Sequence, residues 1–303
     1  MKTPLQQNKL IVIGGPTASG KTSLAIQLAK ELGTEILSAD SRQCYKELTI
    51  GVAKPTHEEL QAVKHYFINS HTIHEEVTAG SFMRYGLSAL ESIFQKSKFA
   101  ICVGGTGLYI NALCSGLDEI PNVDAQLKKE VEKNYKKEGL AWLQKQIAVA
   151  DPDFYAQADE QNPMRLLRAL IFYKCHNESI LNYLNKEKGA RPFNIDYYAI
   201  DLERNSLYER INTRVDQMLE QGLVKEVEAL QKNEGLKALQ TVGYKELFAY
   251  KRGEYSLDQA VNKIKQHTRN YAKRQVTWFK NQGNFSRLTA DRILDAVQST
   301  NCR

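Results

Sequence analysis

The chain has 303 residues, of which 42% are hydrophobic and 25% charged, and a formal net charge of +6. This composition is that of an ordinary soluble protein with one large core or two smaller ones, and its mild positive charge permits an anionic partner without specifying one. The five cysteines form no C-x-x-C pair, which argues against a zinc ribbon or a disulfide scaffold and favours a reducing, cytoplasmic environment. No apolar run approaches the roughly 18 residues of a membrane span, and the run before residue 15 is too short for a signal peptide.

The first third of the chain alternates predicted strands with predicted helices. Apolar runs predict buried strands at residues 10–13, 34–39 and 99–103. Helical spacing predicts helices at 23–32, 81–95 and from 108 onward. This order predicts an α/β fold, a P-loop NTPase-like parallel sheet flanked by helices. Because ligands bind at the carboxyl ends of such strands, the segments that follow them are expected to face one site.

A complete phosphate-binding loop, G-x-x-x-x-G-K-[ST], follows the first predicted strand. Its residues are Gly15, Pro16, Thr17, Ala18, Ser19, Gly20, Lys21 and Thr22. The glycines let backbone amides converge on phosphate oxygens, the next helix adds its partial positive charge, and Lys21 adds a full one. The Thr22 hydroxyl is the predicted Mg²⁺ ligand. The alternative is a Gly-rich turn without a ligand, and the loop alone does not distinguish a nucleotide from another diphosphate.

The pattern changes near residue 118. From there to about residue 188 it is helical, which predicts a core of residues 1–117 and 190–303 interrupted by a helical insertion, 118–189. A strand returns at 197–200, and the remainder is predicted to be helical over 207–231, 243–250 and 257–281.

Two polar residues near the loop are candidates for chemistry. Asp40 follows the second strand, where a carboxylate can accept a proton or hold a metal-bound water. Its alternative role is that of a turn residue, because Asp-Ser also builds turns. The Thr17 hydroxyl can donate to a leaving phosphate oxygen, or it can cap the loop internally.

Basic residues recur at helical spacing in three places. Arg210 and Arg214 can reach a diphosphate or form a solvated pair, and Arg165 and Arg168 make a positive ridge or an ordinary solvated face. Residues 261–280 hold six Lys and Arg residues, no acidic residue and three interleaved aromatics. This segment predicts a nucleic-acid backbone site, and its alternative is a solvated basic helix.

Taken together, these motifs resemble those of the tRNA dimethylallyltransferases, also called tRNA isopentenyltransferases, of the bacterial type. The matching segments are the loop at 15–22, Asp40-Ser41-Arg42-Gln43, Ala53-Lys54-Pro55, residues 103–109, 165–170, Arg214 with 218–219 and 222–223, 242–247, and 273–279. The departures are Val52, Ile171, Cys175-His176 and the stretch 65–69. The loop is common to many NTPases, whereas the Asp-Ser-Arg-Gln turn, the 103–109 turn and the 273–279 run are specific as a set.

The resemblance implies transfer of a dimethylallyl group from dimethylallyl diphosphate to N6 of the adenosine that is 3′-adjacent to the anticodon. It implies Asp40 as base, with Thr17, Lys21, Arg214, the loop amides and Mg²⁺ stabilising the leaving diphosphate. The implied partners are a tRNA anticodon stem-loop and dimethylallyl diphosphate, with no membrane, and the protein is expected to be a monomer.

The resemblance also implies a set of tRNA-contacting residues. They are Asp40, Ser41, Arg42, Gln43, Thr106, Lys128, Met164, Arg165, Leu166, Leu167, Arg168, Gln240, Thr241, Val242, Gly243, Tyr244, Lys245, Lys273, Arg274, Gln275, Val276, Thr277, Trp278, Phe279 and Lys280. The target base must leave its stack to react in such an enzyme. Three other functions remain open at this point: a prenyltransferase of free adenine nucleotides, a small-molecule P-loop kinase, and a nucleic-acid-binding P-loop regulator.

Overall fold

The computed structural model describes residues 8–184 and 189–301. The chain divides into two compact units, Met1–Gly116 with Ala190–Arg303, and Leu117–Gly189. The predicted boundaries differ from these by one residue. No helix within the described ranges is long and apolar enough to cross a membrane.

The first unit is built on a six-stranded sheet. Its strands are β1 (Lys9–Gly14), β2 (Ile36–Ser38), β3 (His65–Tyr66), β4 (Phe99–Gly104), β5 (Asn194–Ile200) and β6 (Ser286–Leu288), in the order β3-β2-β4-β1-β5-β6. All the described strand pairs are parallel, which confirms the predicted sheet. β1 lies between β4 and β5 in the middle of the sheet, and this central position explains its uninterrupted apolar sequence.

The helices, in chain order, are α1 (Lys21–Leu32), α2 (His57–Ala62), α3 (Ala79–Phe94), α4 (Gly107–Ser115), α5 (Ala125–Ala150), α6 (Pro152–Tyr155), α7 (Pro163–His176), α8 (Arg204–Glu220), α9 (Leu223–Ala229), α10 (Tyr244–Lys251), α11 (Leu257–Asn281) and α12 (Ala290–Asn301). Successive residues of β1 point to opposite faces of the sheet. Leu10 and Val12 join a buried cluster with α3, α4, α10 and α11. Ile11 and Ile13 join a second one with α1 and α12.

The second unit is helical throughout its described part. α5 and α7 pack on each other around Val131, Ile147, Leu166 and Phe172. α5 is interrupted at Gly139, where φ is 81°.

Several short elements escaped prediction. β3 has two residues and β6 has three mostly exposed ones, so neither carries a readable apolar pattern. The predicted helix 207–231 is wrong as one element, because Gly222 takes a left-handed conformation (φ 99°) and ends α8 before α9 begins.

Candidate active site

The phosphate-binding loop joins β1 to α1, as its motif requires. Gly20 caps the helix with φ 85°, and Lys21 Nζ donates to the Pro16 carbonyl at 2.9 Å, which folds the ammonium over the loop. Ser19 is 2% exposed, and its hydroxyl has no hydrogen-bond partner among the described residues. A buried hydroxyl without a partner is costly, so the loop presents a donor that an anionic ligand would satisfy.

Asp40 opens the turn after β2. Its Oδ1 accepts the amides of Arg42 at 2.8 Å and of Gln43 at 3.2 Å, so the turn role foreseen as the alternative is present. No described residue donates a hydrogen bond to the second carboxylate oxygen, and Asp40 lines two cavities. One oxygen therefore builds the turn, while the other is available to accept a proton.

Hydrogen bonds join the turn that follows β2 to the turn that follows β4. The Thr106 amide donates to the Ala39 carbonyl at 3.2 Å, and the Thr106 hydroxyl accepts the Ser41 amide at 3.2 Å. A Cβ atom at Gly104 would lie 2.2 Å from the Ala39 carbonyl oxygen, so only glycine fits there. This contact holds Asp40 and Thr106 at one edge of the sheet.

Helix α11 is seated on the ends of β1 and β4. Gln275 accepts the Thr17 amide and donates to the Gly105 carbonyl, both at 2.9 Å. Trp278 covers Gly107 and Phe279 covers Gly14, where a Cβ would lie 2.4 Å and 2.2 Å from the rings. The run at residues 273–279 thus docks the helix against the phosphate-binding loop, so Trp278 and Phe279 pack against the core, the alternative to stacking on bases.

The two basic residues of α8, Arg210 and Arg214, lie in different environments. Arg214 is partly buried and its guanidinium donates to the Thr17 hydroxyl, so the solvated alternative is wrong for this residue. Burial lowers the pKa of Arg214, and the nearby Asp40 carboxylate opposes that shift. Arg210 is exposed, and its guanidinium lies 3.9 Å from the position that a Cβ on Gly20 would take.

Two larger cavities and a small one are all lined by Arg214. The loop cavity has a volume of about 720 Å³ and is bounded by Ala18, Ser19, Gly20, Lys21, Thr22, Ser206, Glu209, Arg210, Thr213, Arg214 and Gln217. The channel, of about 560 Å³, is lined by Thr17, Asp40, Arg214 and segments of α10 and α11. The inner cavity, of about 60 Å³, shares Thr17, Asp40 and Arg214 with the channel and Lys21 and Thr22 with the loop cavity.

Glu226 on α9 supports the channel and was missed by sequence analysis. Its carboxylate accepts the amides of Thr49, Ile50 and Gly51 at 2.8–3.1 Å and the Tyr244 hydroxyl at 2.6 Å. It thereby fixes a loop whose Gly51 lines the channel. Its sequence context is that of a helix surface, so no local signal could have found it.

The profile of the family described as IPP transferase matches residues 43–282. This chain belongs to that family. A tRNA dimethylallyltransferase of Flavobacterium johnsoniae is 43% identical over 281 residues, which cover 91% of each chain.

Two solved structures are similar to this IPP transferase family member. The tRNA isopentenylpyrophosphate transferase of Bacillus halodurans has a TM-score of 0.72 and 32% identity, with 97% of this chain and 96% of that one covered. A eukaryotic dimethylallyltransferase acting on tRNA has a TM-score of 0.79 and 26% identity, with 93% and 74% covered.

In this IPP transferase, the residues predicted to contact tRNA differ widely in exposure. The exposed ones are Lys128, Met164, Arg165, Arg168, Gln240, Lys245, Lys273, Arg274, Thr277 and Lys280. The partly buried ones are Asp40, Ser41, Arg42, Gln43, Thr106, Thr241, Val242, Val276 and Trp278. Gly243, which has no side chain, is buried.

Five members of the predicted contact set have side chains that lie inside the protein. Leu166 and Leu167 belong to the core of the second unit, and Tyr244 donates to Glu226. Gln275 and Phe279 dock α11 on the sheet. These five lie on the inward faces of helices whose outer faces carry the charges. The contact set predicted from sequence included residues of both faces.

The basic segment is less uniform than its sequence indicates. Lys265 pairs with Asp216 at 2.6 Å, and Arg269 donates to the Asn212 side chain at 2.7 Å. Lys273 and Lys280 are exposed and form no ion pair with any residue that the structure describes. The exposed positive charge is therefore concentrated in the second half of α11.

Proposed function

We propose that this IPP transferase moves a dimethylallyl group from dimethylallyl diphosphate to N6 of the adenosine 3′-adjacent to the anticodon in tRNA. The observation that carries the proposal is that Arg214 lines both the loop cavity and the channel, with Thr17 and Asp40 on the channel wall and Thr17 bonded to the Arg214 guanidinium. A donor diphosphate in the loop and a base in the channel would then approach each other from opposite sides. The names of the similar proteins supply the chemical identity of the two substrates.

The reaction requires one bond to break and one to form. The bond between C1 of the donor and the ester oxygen of the diphosphate breaks, and C1 bonds to adenine N6. One N6 proton passes to the second carboxylate oxygen of Asp40. Charge grows on the departing diphosphate, where preorganised donors stabilise it most. Those donors are Lys21, Arg214 and the Thr17 hydroxyl. The Thr17 amide is not among them, because it already donates to Gln275.

Mg²⁺ fits this site if the diphosphate itself supplies most of the ligands. Within residues 8–184 and 189–301, no group of three or more His, Cys, Asp and Glu residues could hold a metal. Thr22 lines both the loop cavity and the inner cavity, which supports its hydroxyl as the residue that would hold the ion. Mg²⁺ typically binds substrate phosphates and retains several waters, and when bound it would neutralise charge on the leaving group.

The acceptor must be a base taken out of its stack, and the channel is large enough for one. Lys273, Arg274 and Lys280 supply positive charge for the phosphate backbone, as do Arg165, Arg168 and Lys128 on the second unit. A free-nucleotide prenyltransferase or a small-molecule kinase would not need this charge. The similar proteins, named for action on tRNA, also favour the tRNA substrate.

The deciding experiment incubates the protein with radiolabelled dimethylallyl diphosphate, Mg²⁺ and unmodified bacterial tRNA, with AMP and ATP as parallel acceptors. We expect label in tRNA at the adenosine beside the anticodon. A stem-loop with purine in place of that adenosine lacks the exocyclic amine and should stay unlabelled. Label found only in AMP or ATP would overturn the proposal.

Binding to tRNA should depend on the second half of α11. Replacing Lys273 and Arg274 together by Gln should lower the slope of log affinity against log salt concentration by about 2, because each lost phosphate contact removes about one counterion. The matched control replaces Lys263, which lies over the Tyr255 ring, and Lys265, which pairs with Asp216. An equal change of slope in both double variants would mean that only net charge matters.

Donor binding should weaken as pH rises through about 8. Burial and the Arg214 guanidinium lower the pKa of Lys21 to about 8, against the raising effect of Asp40. A diphosphate favours the ammonium form, so above this pH binding takes up a proton and affinity falls by up to about tenfold per pH unit.

Calorimetric titration with a non-transferable thio analogue of the donor, on both sides of that pH, measures the effect. Lys21→Arg stays charged throughout and corrects for the titration of the ligand. A Lys21→Arg profile as steep as that of the unsubstituted protein would remove Lys21 as the titrating group.

A further inference from the structure

The inner cavity contains a histidine for which the reaction described above has no role. His65 lies on β3, and its Nδ1 is 2.8 Å from the Val63 carbonyl oxygen. Since a carbonyl only accepts hydrogen bonds, Nδ1 carries the proton and Nε2 of the neutral ring presents a lone pair. Burial lowers the pKa of His65, which favours this neutral form.

His65 lines a polar cavity, and its Nε2 is buried without a partner. No described residue makes a hydrogen bond to it, and the cavity wall also contains Thr22, Asp40 and Ser38. Leaving a buried acceptor without a hydrogen-bond partner is costly, so a donor is expected there when the site is complete. The cavity, of about 60 Å³, is large enough to hold water.

The wall of the cavity is held by its own hydrogen bonds. Gln43 donates to the Val52 and Ala53 carbonyls at 3.2 Å and 2.9 Å. Lys54 donates to the Tyr45 carbonyl at 2.8 Å and to the Asn69 side chain at 2.6 Å. These bonds tie the loop after β2 to the segment after β3, and the bond from His65 Nδ1 to Val63 orients the imidazole.

We propose that His65 is a positioning residue for the metal, and that its Nε2 accepts a hydrogen bond from a hydration water of the Mg²⁺ held by Thr22 and the diphosphate. The inference rests on the proposed function, which puts the diphosphate and Mg²⁺ at this loop. Mg²⁺ retains water ligands, and such waters are strong donors that need buried acceptors. Asp40, whose second carboxylate oxygen accepts no hydrogen bond from the described residues, lines the same cavity.

The test measures how much Mg²⁺ improves binding of the thio analogue, as the ratio of its dissociation constants with EDTA and with saturating Mg²⁺. His65→Asn can keep the bond to Val63 but has no atom at Nε2, and should lower this ratio by about tenfold without changing metal-free binding. His65→Gln carries an acceptor oxygen near Nε2 and should restore the ratio to within about threefold. His57→Asn, on the exposed surface of α2, is the control that should leave it unchanged.

Two results would overturn the inference, and they are distinguishable. If His65→Asn folds and keeps the full ratio, His65 serves only packing or an unrelated structural water. If the unsubstituted protein transfers label to tRNA but Mg²⁺ does not tighten analogue binding, the metal-positioning role falls and the proposed function stands. Failure of the proposed function appears separately, as absence of label in tRNA.

Discussion

Replacing Asp40 by Asn is expected to lower the single-turnover rate of prenyl transfer by about 10²- to 10⁴-fold, the usual contribution of a general base. An exocyclic adenine amine is a weak nucleophile, and its proton must leave as the N6–C1 bond forms. Asn keeps an oxygen that can accept the amides of Arg42 and Gln43, so the turn survives. The group that Asn presents to the cavity is then an amide donor in place of a carboxylate oxygen.

The comparison with Asp40→Ala separates the two roles of this residue. Alanine removes both the turn acceptor and the base, so it should lower stability as well as rate, whereas Asn should lower the rate alone. Rapid-quench measurements at saturating donor and tRNA give the rate, and thermal unfolding gives the stability. If Asp40→Asn retained the rate and only Asp40→Ala lost it, Asp40 would be a turn residue and the base would lie elsewhere.

The sheet and the phosphate-binding loop could be predicted because their signals are local. Residues 15–22 and the apolar runs of β1 and β4 each carry their own pattern. Parallel pairing then brings Asp40 and Thr106 to the same edge, because both follow strands of one sheet. The sequence therefore sufficed to find one side of the candidate site.

The other side depends on contacts between residues far apart in the chain. Gln275 reaches the loop from 258 residues away, and Glu226 holds a loop 175–177 residues away. Neither residue carries a spacing signal, because its function is set by which helix packs above the sheet. The same reason explains why buried side chains entered the predicted tRNA-contact set: periodicity indicates two faces, but the packed partners decide which face is inside.

Arg214 is the case in which this packing matters most for chemistry. Replacing Arg214 by Gln is expected to lower the transfer rate by about 10²- to 10³-fold, the typical cost of removing one preorganised donor to a developing oxyanion. Its guanidinium is already fixed on the Thr17 hydroxyl in a partly buried site, so little reorganisation is needed when the diphosphate departs. Arg214→Lys should recover only part of the rate, because an ammonium is a point charge without the planar fork.

Arg210→Gln is the matched control, since it removes the same charge from an exposed position four residues earlier on α8. It should cost less than about tenfold, because an exposed charge is screened by solvent. Arg214→Gln should also raise the pKa of Lys21, which the guanidinium now lowers, and so move the pH dependence of donor binding above about 8. Equal losses in the two Gln variants, with no shift of that pH dependence, would reduce Arg214 to one of several surface charges. A loss confined to Arg214 would assign leaving-group stabilisation to the guanidinium that joins the loop cavity to the channel.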